Sequence, residues 1–306
     1  MRWYTGQIMK SSIIETLRYF SQFKYSASLN ELHIFHNKEI IKQTLKKQLL
    51  SLIKDEKVKK IYDRYTLGEY SMKSNRRKKI SIEKVSKVAH YFEILQTIPI
   101  IKLVAITGSV AMYNAQVDDD VDIFIISSSH RMWMARFFAY MIASLLGIRR
   151  KRNNPYVKDT VCLNLFFDGT DVNIPQKKQN SYIAHEITQM KPVIMRDESY
   201  SNFVMQNKWI YDIYPNARQY LLQYSQKNDV LERNFGVVKK QLKLRYTVLR
   251  IVIVVIYYVL AFFGPIVEIL LKYIQLFFIL RHRTSERITE TQLWFFPDDF
   301  EKKLVV

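Results

Sequence analysis

The apolar positions of the first 70 residues follow two different periods. Three stretches repeat apolar residues every three or four positions, as amphipathic helices do, and the third covers residues 38–54. Ser28, followed three residues later by Glu31, has the spacing of a capping box that starts the second helix. Two short runs, 58–62 and 65–70, flank a two-residue turn as the strands of a hairpin do. The pattern predicts three helices followed by two strands.

This element order resembles a winged helix, a variant of the helix-turn-helix. The resemblance implies that the third helix enters a DNA groove, with Lys42 and Lys46 on phosphates. For base edges this helix offers Gln43 and Gln48 but no Arg or Asn. Two interpretations therefore stay open: the unit binds nucleic acid, or it packs on its neighbour or on another protein.

A second pattern begins after the basic segment 73–79, which we interpret as a solvated linker. A helical period over residues 81–96 precedes an apolar run at 101–106, and the turn Thr107-Gly108-Ser109 ends that run. A short helix over 110–114 and an acidic triplet at 118–120 lead into a second apolar run that ends at residue 126. The sequence predicts two buried strands joined through a tight turn.

Two carboxylates open the second strand. Side chains alternate along a strand, so Asp120 and Asp122 share one face. Such a pair is costly unless a hard cation neutralises it, and Mg²⁺ with phosphate is the natural occupant. Gly108 allows close approach of the backbone to phosphates, and Ser109 can donate hydrogen bonds to them.

These residues resemble the signature of the polymerase-beta-like nucleotidyltransferases. The signature is an apolar strand with Gly-Ser, about ten residues, and then Asp-x-Asp; here it reads Gly108-Ser109, ten residues, Asp120-Val121-Asp122. The resemblance implies that Mg²⁺ ions on Asp120 and Asp122 assist transfer of a nucleoside monophosphate from a nucleoside triphosphate to a hydroxyl. Residues 98–216, and more weakly 295–299, also resemble bacterial nucleotidyltransferase-domain proteins with an N-terminal winged helix.

Members of this superfamily usually carry a third acid on a later strand. The candidate strand covers residues 160–168, where the central polar residue is Asn164 and Asp168 stands at the end. Three alternatives stay open. Asp168 is the third acid, Asn164 is a neutral substitute for it, or only one of the two metal ions is held well. A second hairpin strand is expected at 172–174.

The next helix carries the pair His185 and Glu186. One of them could touch substrate or the third metal position. The alternative, which the pattern favours, is a polar pair on a helix that flanks the sheet.

The C-terminal third contains an unbroken apolar run at 251–263, interrupted by Gly264-Pro265. A spanning helix needs about 20 apolar residues, so the run favours a helix buried against the core and broken at Pro265. Basic residues flank the run: Lys239, Lys240, Lys243, Arg245 and Arg250 before it, and Lys272, Arg281 and Arg283 after it. Peripheral contact of residues 251–280 with an anionic membrane therefore stays a second interpretation.

Composition adds two constraints. The single cysteine, Cys162, excludes an intramolecular disulfide, and the first residues lack the pattern of a secretory signal, so we expect a cytoplasmic protein. The net charge of +19 favours polyanionic partners without specifying which.

The expected architecture has three parts in an α/β (α+β) chain. Residues 1–80 form the winged-helix-like unit with its basic linker, and residues 81–215 a small mixed nucleotidyltransferase sheet flanked by helices. Residues 216–306 form a helical region that covers the nucleotide. The predicted function is a Mg²⁺-dependent nucleotidyltransferase with a nucleoside triphosphate as substrate; the alternative is a catalytically weak or inactive protein of this fold that binds nucleic acid or acts as a scaffold.

Overall fold

The structure is a computed structural model that describes residues 2–68, 74–151, 156–222, 230–236, 244–281 and 286–295. The chain is a mixed α/β protein with two sheets, one of three strands near the N-terminus and one of six strands in the core. Residues 296–299, part of the weaker resemblance, lie outside the described ranges.

The N-terminal unit contains the three predicted helices and a small antiparallel sheet. Its elements are α1 (Arg2–Gln22), β1 (Ala27–Ser28), α2 (Leu29–Ile34), α3 (Lys42–Lys54), β2 (Lys59–Ile61) and β3 (Arg64–Thr66). The capping box is confirmed, because Ser28 Oγ accepts from the Glu31 amide and Glu31 accepts from the Ser28 amide. Two details differ from the prediction: α3 starts at Lys42, after an extended Ile41, and the two-residue β1 adds a strand beside β3.

The segment interpreted as a solvated linker is helical where the structure describes it. Helix α4 (Ser74–Leu95) starts inside this segment, so residues 74–79 are helical and not an irregular connector, although most of their side chains are exposed. Arg77 explains the difference, because its guanidinium donates to the Lys24 carbonyl and to Asn114 Oδ1. The basic turn thus connects the N-terminal unit to the core.

The core sheet has the order β7-β4-β5-β6-β9-β8, and every neighbouring pair is antiparallel except β5 and β6. Its strands are β4 (Ile101–Ile106), β5 (Val121–Ser127), β6 (Val161–Phe167), β7 (Lys191–Met195), β8 (Arg287–Ile288) and β9 (Gln292–Trp294). The C-terminal region is therefore not wholly helical, because β9 extends the sheet beside β6. The strand expected at 172–174 is absent, since the side chains of Asn207 and Gln292 take the backbone groups that a partner strand would use.

Alternating residues of β5 divide the core into two layers. Ile123 and Ile125 belong to a cluster that includes α4 and α6 (Met132–Leu145), whereas Phe124 and Ile126 belong to a cluster with α7 (Ser181–Gln189) and α8 (Ser199–Gln206). The helix expected after the second strand is α6, and it packs on the sheet as predicted. The N-terminal unit shares the second cluster, which joins it to the core.

The last helices are α9 (Ile210–Ile213), α10 (Ala217–Leu222), α11 (Val230–Phe235), α12 (Leu244–Phe262) and α13 (Gly264–Leu280). Helices α12 and α13 pack on α4 and α6, on the sheet face opposite to the one that carries Asp122. These two helices therefore do not cover the acid pair; within the described residues, Phe295 is the part of the C-terminal region that comes nearest to it in the sheet, where its amide donates to the Asn164 carbonyl.

The chain bends by 105° between α12 and α13, where Pro265 cannot continue the preceding helix. Within the described ranges, α12 and α13 pass a test of length and composition for a membrane span when taken as one bent pair, and neither passes it alone.

Candidate functional site

The Gly108 turn lies against the start of β5. Gly108 opens the short helix α5 (Gly108–Ala111) with a positive φ of 64°, and the Thr107 amide donates to the Asp122 carbonyl at 3.0 Å. A Cβ atom on Gly108 would lie 2.5 Å from Asp122 Oδ2, inside any van der Waals contact. Both the backbone angle and the space require glycine here.

Asp120 and Asp122 point to the same side of β5, as the strand period predicts. Each offers an oxygen that lies within 4.8 Å of the other and of Cys162 Sγ, close enough for one ion to touch all three. Asp120 is 9% exposed and pairs with the Arg150 guanidinium at 2.7 Å. The structure therefore brings the predicted acid pair to the predicted glycine turn.

A bulge in β6 places Asn164 beside this pair. Ile123 pairs with Leu163 and Phe124 with Leu165, so Asn164 is an extra residue in the ladder. Its side-chain amide donates to Asp122 Oδ1, and its Oδ1 accepts from the Cys162 thiol at 2.8 Å. Bulges of this kind redirect side chains at functional sites. Asn164, an amide and not a carboxylate, is thus the β6 side chain that contacts Asp122.

Asp168 lies at the other end of β6, so the prediction that it joins the pair is wrong. In the parallel register Asp122 is opposite Cys162 and Ile126 is opposite Phe167, which puts Asp168 beyond the far end of β5. There Asp168 accepts from the amides of His130, Arg131 and Thr170 and from the Thr170 hydroxyl. Its role is to hold the turn before α6.

Glu186 is the second acid that the fold brings to the Gly108 turn. Its Oε2 accepts from the Gly108 amide at 3.1 Å, and burial raises its pKa to about 7. The Gly108 amide is therefore already engaged by protein.

His185 points away from the acid pair. It stacks on Phe35, with ring centroids 3.9 Å apart, and packs against Tyr19. Burial lowers its pKa to about 3, so the ring is neutral. Of the two residues considered on this helix, Glu186 reaches the site and His185 does not.

The electrostatics of the pair favour a cation. Burial, followed by the charges of Asp120 and Glu186, raises the pKa of Asp122 to about 8; the Asn164 hydrogen bond and Arg150 offset part of the effect. Burial, followed by the charges of Asp122 and Asp120, raises the pKa of the Cys162 thiol well above its ordinary value. The thiol is therefore neutral and a weak ligand. Carboxylate oxygens with a side-chain carbonyl nearby are the ligand set that Mg²⁺ prefers.

The loop before Asp120 is held from inside the core. Ser109 Oγ donates to Asp119 Oδ2 at 2.8 Å, so this hydroxyl fixes the loop, whereas the sequence suggested a phosphate contact. The buried Lys84 ammonium donates to the carbonyls of Val117 and Asp119 at 2.7 and 2.6 Å and to Asp159 at 3.1 Å. Nothing in the local sequence pattern pointed to Lys84 or Arg150 as contributors to the site.

A cavity of about 660 Å³ lies apart from the acid pair, between the N-terminal unit and the core. Its wall includes the charged residues Glu31, Lys42, Arg64 and Lys78, together with His185. Ala111, at the C-terminal end of α5, lines it, whereas Gly108, Asp120 and Asp122 do not.

A comparison with protein-family models, curated proteins and solved structures finds no match to this chain.

Proposed function

We propose that this protein is a Mg²⁺-dependent nucleotidyltransferase of the polymerase-beta-like kind. The observation that carries the proposal is the contact of the Gly108 turn with Asp122, at a distance that admits no side chain, beside a second carboxylate on the same strand face. A hydroxyl oxygen of the acceptor attacks the α-phosphorus of a nucleoside triphosphate, and the bond from that phosphorus to the bridging oxygen breaks. Pyrophosphate leaves with the bond electrons, and the hydroxyl proton passes to solvent.

The residues of the site divide this work. Asp120 and Asp122 would hold the metal, which would supply charge neutralisation at the phosphates. The Arg150 guanidinium, which pairs with Asp120 at the edge of the site, would bind triphosphate oxygens, for which its planar donors are suited. Glu186 keeps Gly108 in its left-handed conformation, so we assign it a positioning role.

We also propose that the N-terminal unit is a winged helix that binds nucleic acid. Its order of helices and strands and the exposed lysines Lys42, Lys46 and Lys47 of α3 support this assignment. Its phosphate contacts would be sensitive to salt, and substitution of these lysines would remove them.

One observation favours a second candidate function. Asn164 stands where a third carboxylate is expected, so the site has one negative charge fewer, and its amide already occupies one oxygen of Asp122. A core that holds metal weakly would leave a nucleic-acid-binding or scaffold protein as the function of the chain.

The test is release of labelled pyrophosphate from each nucleoside triphosphate with Mg²⁺, in the presence of cell extract as a source of acceptors. Asp120→Ala should abolish release while the protein remains folded by circular dichroism. Asp118→Ala is the matched control, because Asp118 belongs to the same acidic triplet but is exposed; this variant should keep activity. Absence of turnover with every nucleotide, combined with salt-sensitive DNA binding, would favour the second candidate.

A further inference from the structure

In helix α13 the side chains of Glu268 and Gln275 point into the protein, while most of the apolar side chains are exposed. Glu268 accepts from the amides of Trp133 and Met134 at the start of α6, at 2.7 and 2.9 Å, and Gln275 bonds to the Trp133 carbonyl and to Arg136. On the opposite side, Ile266 and Phe277 are 69% and 63% exposed. An amphipathic helix on a protein in water has the reverse arrangement.

The same exposure continues along α12 and through the bend. In the fully described stretch 251–280, every exposed position carries an apolar or aromatic side chain or Pro265. We call the following set the outer face: Ile251, Val252, Val255, Tyr258, Val259, Phe262, Phe263, Ile266, Ile269, Leu270, Tyr273, Ile274, Phe277, Phe278 and Leu280. A contiguous apolar surface on two helices marks an interaction site.

Charge at the edges of the outer face is positive. Exposed Arg250 precedes it and exposed Arg281 follows it, whereas Lys272 is paired with Glu290. Of the other basic residues that flank this segment, 239–243 and Arg283 lie outside the described residues, and the side chain of Arg245 is likewise not described. A protein partner would not need basic residues at both ends of an apolar surface, but anionic lipid headgroups complement that arrangement.

A cavity of about 350 Å³ at the rim adds two more guanidinium groups. Phe278 of the outer face lines it together with Arg136, Arg149 and Glu286. The Arg136 side chain is buried, and its Nε makes no hydrogen bond with the described residues. Two arginines against one carboxylate leave this cavity with a positive charge for an anionic group.

We infer that the outer face docks on an anionic lipid bilayer, with α12 and α13 lying at the interface. The apolar side chains enter the boundary between headgroups and acyl chains, Tyr258 and Tyr273 lie at headgroup level, and the flanking arginines bind lipid phosphates. The 105° bend keeps the two helices from acting as one continuous rod, which suits attachment at one surface.

The experiment measures flotation of the full chain with vesicles of phosphatidylcholine alone and with about one third phosphatidylglycerol, the fraction that provides an anionic surface. The test variant is Ile266→Glu with Leu270→Glu. The control is Ile41→Glu with Leu50→Glu, which adds the same charge at apolar residues of the N-terminal unit with nearly equal exposure: 73% and 54%, against 69% and 56%.

We expect wild type to float with the anionic vesicles and less with the neutral ones. The test variant should bind at least about tenfold more weakly, because two aliphatic side chains no longer enter the lipid, and the control should bind as wild type does. Circular dichroism and sedimentation velocity of each variant accompany the flotation. Equal binding of both variants, or no binding by wild type, would overturn the inference. A wild-type dimer that only the test variant dissociates, without vesicle binding, would overturn it in favour of a second copy of this chain.

Discussion

Two ends of the same pair of strands carry aspartates with opposite surroundings. At the far end of β6, Asp168 is 4% exposed and accepts four hydrogen bonds, three of them from backbone amides. At the near end of β5, Asp122 receives the Asn164 amide and faces the charges of Asp120 and Glu186. Both residues are acids next to buried strands, and the sequence offered both for the same site, Asp122 as a metal ligand and Asp168 as one alternative for the third acid.

The comparison distinguishes a structural acid, Asp168, from a candidate functional acid, Asp122. Asp168 is satisfied by the protein, because its two oxygens accept four hydrogen bonds from neighbouring residues. Asp122 is not satisfied, because burial and like charge act against its ionised form. Buried acids whose ionised form is disfavoured mark candidate functional sites. A bound cation would stabilise that ionised form.

The largest effect should come from the satisfied acid. Asp168→Ala removes the acceptor of four hydrogen bonds and leaves buried amides unpaired, so the free energy of unfolding should fall by about 3 kcal/mol. Chemical denaturation measures the change, and Asp118→Ala, at an exposed acid, should alter stability by less than about 0.5 kcal/mol. If Asp168→Ala lowers the free energy of unfolding by no more than the control does, Asp168 is not a structural acid and the two aspartates do not differ in this way.

A smaller effect of opposite sign is expected at Asp122 in metal-free buffer. Its pKa is raised from 3.8 to about 8, so the folded protein keeps a proton that the unfolded chain releases. Stability therefore falls as pH rises through this window and levels off above it. Asp122→Asn should remove the fall and make the protein more stable than wild type at pH 8, by about 2 kcal/mol.

Thermal unfolding at pH 5 and pH 8, with and without Mg²⁺, measures this effect. Added Mg²⁺ should raise the melting temperature of wild type at pH 8 and leave that of Asp122→Asn unchanged. If Asp122→Asn is less stable than wild type at pH 8 without metal, then Asp122 is a structural acid like Asp168.

The smallest effect concerns Asn164. Asn164→Asp replaces an amide nitrogen by oxygen beside Asp122, so a third carboxylate joins the pair and Mg²⁺ affinity should increase about tenfold. Titration calorimetry measures the affinity. Asn173→Asp makes the same change of charge at an exposed residue outside the site, and it should leave the affinity unchanged.

Local patterns predicted the elements that hold the site. The two-residue period placed Asp120 and Asp122 on one face, and the Gly108 turn falls where the apolar run ends. The capping box at Ser28 is equally local. Each of these features depends on residues a few positions apart, so the sequence around it contains the necessary information.

What could not be predicted depends on pairing between distant segments. The parallel register of β5 and β6 decides that Asn164, and not Asp168, meets Asp122, and a single strand pattern does not specify its partner. The pairing of β9 with β6 and the ion pair of Arg150 with Asp120 likewise join segments that are distant in the sequence. The inward direction of Glu268 could not be anticipated either, because a helical period does not say which neighbour a face meets.

Lys84 has a consequence for how the acidic loop meets an ion. Its ammonium lies beneath residues 117–119 and binds two of their carbonyls, so the triplet 118–120 is supported by a positive charge from within the core. Repulsion among three consecutive aspartates would otherwise favour an open ensemble of loop conformations. With this support the loop has its conformation before any cation arrives, and the entropy of ordering it is lost during folding rather than on each encounter with metal.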